Sequence, residues 1–146
     1  VDISGNKNSV LPLMAASLLA SGPITLKNVP AIRDVDVMSQ ILTSLGAKIS
    51  RQNNQLTIDT TTVKSFAVDP ALSQKLRASI ILLGPLLARF GQVSLGFPGG
   101  DVIGKRAIGT HLDALHAIAK RRAERRSKAG DDAKDITDLA DDGNSE

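Results

Sequence analysis

Residues 97–109 read FPGGDVIGKRAIG, with one carboxylate, Asp101, behind two glycines and ahead of Lys105 and Arg106. Glycine at such a place permits a tight turn or close approach to a ligand. An aspartate there is ordinarily a turn former or a helix cap. As a general acid it must hold its proton near neutral pH, and the neighbouring cations push the other way. A bound substrate phosphate would offset them. Cations also stand at two further expected helix starts: Lys7 with Asn8 in GNKN, and Lys75 with Arg77 in QKLRAS. A helix start presents unpaired N–H groups and the positive end of the dipole, so a cation there is unfavourable by up to roughly 1 kcal/mol. An anion bound at the same point removes the conflict. Any one of these residues is more simply a solvated surface charge. Their repetition in a small chain suggests a polyanionic ligand.

Other chemistries find less support. His111 and His116 are five apart rather than the i, i+4 metal pair, and there is no cysteine, so neither a metal nor a disulfide is expected. The glycine-rich phosphate motifs GxGxxG and GxxxxGK[ST] are absent. Residues 120–128, KRRAERRSK, could attract nucleic acid, but the acidic residues 131–146 compete with it and no base-reading motif accompanies it. No nucleic-acid partner is therefore expected. Apolar runs stop well short of the ~18 residues that a membrane span needs, and residues 1–20 make a poor leader. These features fit a cytoplasmic protein with no membrane partner.

The elements that must carry these residues follow from periodicity. Apolar residues make up 42% of the 146 and aromatics 2%, so the core is expected to be aliphatic. Residues 1–3 alternate as a short strand. Asn6 or Asn8 can cap a helix over 8–20, whose apolar residues Val10, Leu11, Leu13, Met14, Leu18 and Leu19 cover nearly all its sides. A strand over 24–29 follows, then a helix with Asp34 as N-cap and Gly46 as C-cap. Strands 48–51 and 55–59 form a hairpin around residues 52–54. The order is βαβαββ. It then restarts: a strand over 62–68, a helix over 71–88 opened by Asp69-Pro70, a strand over 90–95, the glycine-rich loop, and a helix over 110–118. The second hairpin is missing, and Ala119 stands where Gly46 ended the earlier helix. Without an apolar stripe, residues 119–146 are expected to be a charged, disordered or fraying tail. The change of composition at Ala119 suggests a frameshifted, recombined or truncated coding sequence.

The stretches DISGNKNSVLPLMAASLLA, VPAIRDVDVMSQILTSLGAKI, LRASIILLGPLLARFGQVSL and PGGDVIGKRAI together resemble the enolpyruvyl transferase family, in its UDP-N-acetylglucosamine 1-carboxyvinyltransferase branch. The resemblance runs from Val1 to about Ile118. It implies an α/β fold, an inside-out α/β barrel domain of βαβαββ repeats, here incomplete: one whole unit and one truncated unit over 1–118. It implies phosphoenolpyruvate and UDP-N-acetylglucosamine as partners and no cofactor. By resemblance, Lys7, Asn8 and Arg106 contact phosphoenolpyruvate or its phosphate. Arg77 and the segment Arg106, Ala107, Ile108, Gly109 and Thr110 line the UDP-sugar site. Asp101 stands where most of the family has a catalytic cysteine that donates a proton, which implies tolerance of the thiol-alkylating antibiotic fosfomycin. Gly109 replaces an aspartate that helps recognise the nucleotide. The family has two domains with the cleft between them, so this chain alone is expected to be inactive. Two alternatives stay open: a non-catalytic binding or interaction protein derived from such a domain, and a shikimate-pathway transferase of the same fold.

Overall fold

The computed structural model describes residues 5–96, 99 and 109–128. The strand expected over residues 1–3 lies outside them, as do Asp101, Arg106, Ala107, Ile108 and the acidic residues 131–146. Helix α1 spans Lys7–Ala16 and tightens into a 3-10 turn at Ser17–Leu19. Asn6 is its cap, with Oδ1 accepting the Asn8 N–H at 2.7 Å. The Ser17 hydroxyl donates to the Met14 carbonyl at 2.6 Å where the helix changes pitch. Val10, Leu11, Met14 and Leu18 are buried, but Leu13 and Leu19 are more than half exposed, so α1 is covered on one side rather than all round.

Strand β1 (Ile24–Leu26) leads to α2 (Arg33–Ser44). Here the expected cap shifts: Ile32 is the N-cap and Asp34 sits inside the first turn, where an acid suits the helix dipole. At the other end Gly46 has φ +107°, its N–H donates to the Thr43 carbonyl, and the Ala47 N–H donates to the Leu42 carbonyl. This paired closure by a left-handed glycine is the ending that the sequence signals. Strands β2 (Lys48–Gln52) and β3 (Gln55–Asp59) form the hairpin, turning at Asn53 and Asn54 with Asn53 at φ +51°. β3 is central, antiparallel to β1 on one side and β2 on the other. Its Leu56 and Ile58 alternate into the core.

The second half departs more from its pattern. β4 is only Ala67–Val68, pairing in parallel with β5 (Ser94–Leu95). Between them the expected single helix over 71–88 is three pieces: α3 (Pro70–Ser73), a 3-10 helix (Arg77–Leu82) and α4 (Leu83–Phe90). Asp69 caps α3 through the Ala71 N–H, as its sequence suggests. The break comes at Leu76, which is extended (φ −139°, ψ 106°) and buried, so tertiary packing overrides helix propensity there. α5 spans Gly109–Lys128, continuing ten residues beyond Ile118 into the basic run.

One aliphatic cluster joins the halves: Val10, Met14, Met38, Ile41, Ile58, Leu82 and Leu86 all belong to it. Full burial of each such side chain contributes about 1.5–3 kcal/mol. A polar tie reinforces it. Arg89, in the last turn of α4, donates to the carbonyls of Leu18 (2.9 Å) and Thr60 (2.8 Å), while the Thr60 hydroxyl donates to the Ser17 carbonyl at 2.8 Å. Arg89 therefore fastens α4 to the end of α1 and to the exit of β3.

Candidate anion-binding site

Lys7 is the first residue of α1 and Asn8 the second. The sequence suggests an uncompensated cation at this helix start; the structure corrects that. The Lys7 ammonium pairs with the Asp34 carboxylate in the first turn of α2. The lysine side chain nevertheless remains 54% exposed and the aspartate 27%. Asn8 is exposed, with its backbone N–H already committed to Asn6. The loop before α1 is held from behind: a Cβ on Gly5 would run into the Asn28 carbonyl oxygen and lie 3.1 Å from Pro30 Cδ.

Arg77 opens the second 3-10 helix and is half-buried, next to the buried Leu76 and two residues from exposed Lys75. That 3-10 helix packs on α1, so the elements bearing Lys7, Asn8 and Arg77 are neighbours. Gly99, in the glycine-rich loop, meets the segment just before Arg77. Ser73 is fully buried, and its carbonyl accepts the Gly99 N–H at 3.2 Å and the Ser79 hydroxyl at 3.4 Å. A side chain on Gly99 would strike the Gln74 carbonyl. One on Gly96 would lie 2.8 Å from Pro70 Cα and 2.9 Å from Ser73 Oγ. Close packing against α3 is by itself enough to require these glycines. They fasten the base of the loop to α3, four residues before Arg77. Gly109 and Thr110 begin α5, and Gly109 is exposed; among the described residues, none outside its chain neighbours and its own helix comes within 4 Å of where its Cβ would be.

Two residues of this arrangement escape sequence reasoning. Asp34 reads as a helix cap, and nothing near it in the chain announces Lys7. Arg89 has no local signal for its role, because its two carbonyl partners are 71 and 29 residues away.

A family model described as EPSP synthase (3-phosphoshikimate 1-carboxyvinyltransferase) matches residues 1–127. The chain belongs to the enolpyruvyl transferase family. That match reaches past Ile118 into the basic part of α5. Among curated relatives, a UDP-N-acetylglucosamine 1-carboxyvinyltransferase from Wolbachia pipientis subsp. Culex pipiens (strain wPip) is 44% identical over 128 residues, 83% of this chain and 30% of the relative. One from Buchnera aphidicola subsp. Baizongia pistaciae (strain Bp) is 50% identical over 118 residues, 81% of this chain and 28% of the relative. The chain therefore spans under a third of the length of the enolpyruvyl transferases that it matches. In structure it is similar to the enolpyruvyl transferase NikO from Streptomyces tendae, with a TM-score of 0.57 and 28% identity, over 60% of this chain and 21% of that one. The fold is that of an enolpyruvyl transferase, in keeping with the α/β repeat expected from the sequence. Among the described residues, no helix is long and apolar enough to cross a membrane.

Proposed function

We propose that residues 1–118 form part of the cleft of a UDP-N-acetylglucosamine 1-carboxyvinyltransferase, acting in the first committed step of peptidoglycan synthesis. The observation that carries this reading is 44% and 50% identity, over four-fifths of the chain, to relatives of that name. In the reaction the sugar 3′-hydroxyl gives up its proton, which leaves in the end with the released phosphate, as its oxygen bonds to C2 of phosphoenolpyruvate and C3 gains a proton. The C2–O bond to phosphate then breaks, C3 returns a proton, and the double bond re-forms on the transferred group. The two substrates and a proton account for every bond change.

In this reading Lys7 and Asn8 hold phosphoenolpyruvate, Arg106 takes substrate phosphate, and Arg77 with residues 106–110 holds the UDP-sugar. Asp101 delivers the proton to C3. The half-exposed ammonium of Lys7 and its position on a helix that packs against the one bearing Arg77 support a shared anionic ligand. The open space around Gly109 accommodates the aspartate that the resemblance places there, so Gly109→Asp is expected to lower KM for the UDP-sugar several-fold.

The test is a chimera in which residues 1–118 replace the matching segment of an active relative. Phosphate release should require both phosphoenolpyruvate and UDP-N-acetylglucosamine, and should fall by about 100-fold or more in Asp101→Ala. Fosfomycin should spare the chimera and inactivate its Asp101→Cys form. Release with shikimate 3-phosphate instead would assign the shikimate reaction. UDP-sugar binding by a folded chimera without release would favour a non-catalytic binding role.

A further inference from the structure

The lysine that opens α1 is held by a residue from another helix. Lys7 at the positive end of α1 is electrostatically misplaced by itself, and its long side chain samples many rotamers. Asp34 has the opposite preference: it lies in the first turn of α2, where the dipole favours a carboxylate, and it is the less exposed partner. Helices α1 and α2 pack on one another, so their ion pair is set by the core beneath. Asp34 is therefore the fixed end and Lys7 the reachable one. An ammonium has three donors, so one bond to Asp34 leaves others for a second anion.

We propose that Asp34 is a positioning residue for the anion that Lys7 receives, fixing the ammonium at the start of α1 while restraining how tightly that anion is held. This rests on the reading of Lys7 as a phosphoenolpyruvate ligand. Two effects of opposite sign follow. The carboxylate narrows the range of positions of the ammonium, which favours a productive geometry. Its negative charge also lowers the local positive potential, which weakens ground-state binding. Asp34→Asn keeps the shape and removes the charge. It leaves a lysine that attracts anions more strongly and places them less well. A merely structural Asp34 would behave differently, since its loss would lower stability and affinity together.

The test titrates the 146-residue chain with phosphoenolpyruvate, following the backbone amides of residues 7–9 by NMR. Asp34→Asn should bind roughly fivefold more tightly at low ionic strength, the scale of one unit charge about 4 Å away in water. High salt should shrink that gain. Asp34→Glu restores the charge and should return Kd to within about twofold of the unsubstituted chain, while Lys7→Gln should abolish binding at these amides. In the active chimera, Asp34→Asn should lower KM for phosphoenolpyruvate and kcat together. If Asp34→Asn lowers the unfolding midpoint below the working temperature, Asp34→Ser carries the same comparison. Binding that depends on Lys7 but is equal or weaker in the folded Asp34 variant overturns the proposal and leaves the role of Lys7 standing. No binding by the unsubstituted chain overturns both.

Discussion

Gly5, ahead of α1, has no room for a side chain because the Asn28 carbonyl lies against it; Gly99, after β5, has none because Gln74 does. The settings differ. Residues 28–30 are themselves braced: the Val29 N–H donates to the Asn54 carbonyl at 2.7 Å, and Arg51 donates to the carbonyls of Val29 (3.2 Å) and Pro30 (3.0 Å). The first loop thus rests on a hairpin in a three-stranded sheet. Among the described residues, Gly99 meets the end of α3, four residues long: its N–H donates to the Ser73 carbonyl, which also accepts the Leu76 N–H and the Ser79 hydroxyl. One glycine is seated against a braced sheet edge and the other against a single short helical turn.

This contrast can be broken by substitution. Gly5→Ala forces backbone against a braced segment and should destabilise the chain by about 3 kcal/mol, at the upper end of overpacking costs. Gly99→Ala meets an equally close obstacle, yet the obstacle is the end of a four-residue helix rather than a segment braced by a sheet, so the cost should be about 1 kcal/mol in denaturant unfolding. Equal costs would end the distinction. Arg89→Ala tests the tie between the halves. It strands the carbonyls of Leu18 and Thr60 and should cost about 2 kcal/mol, since bonds from a charged donor are the stronger kind. Gly46→Ala strains a positive-φ position and brings a Cβ within 3.1 Å of the Thr62 carbonyl, for about 1 kcal/mol. The smallest effect concerns Asp59, at the exit of β3. The Thr61 hydroxyl, then the Thr61 N–H, hold its carboxyl below the ordinary 3.8. A depressed carboxyl contributes stability above that ordinary value, and the contribution is lost as pH falls through the lower folded value. Thr61→Val should move the Asp59 titration midpoint upward, as read by NMR.

The first half was largely legible because its signals are local. Asn6 two residues before Asn8, Gly46 after an apolar periodic run, and the hairpin turn each act within a few residues; the first two are found where expected, and the turn is at Asn53 and Asn54, with Gln52 taken into β2. The second half was legible in its order of elements but not in its breaks. The chain leaves the helix at Leu76 beside the point where Gly99 docks on Ser73, a contact across 26 residues that periodicity does not register. The continuation of α5 past Ile118 has a local cause, since Ala119 supplies no left-handed stop. Its apolar stripe is poor, as the sequence indicates. For the candidate site, the lysine at the start of α1 was visible, while its partner was not, nor was the break that puts Arg77 at the start of a 3-10 helix. Asp34 lies 27 positions away and is brought there by the packing of α1 on α2.

The central claim is that the cationic helix starts at Lys7 and Arg77 serve one set of anionic substrates. It is tested most directly by titrating the labelled chain with UDP-N-acetylglucosamine in the presence of phosphoenolpyruvate and mapping the amides that move. The account predicts shifts at residues 7–9, 75–79 and 99 that saturate together. Shifts confined to the polar hairpin turn at residues 52–55, or shifts at only one of the two helix starts, would contradict it.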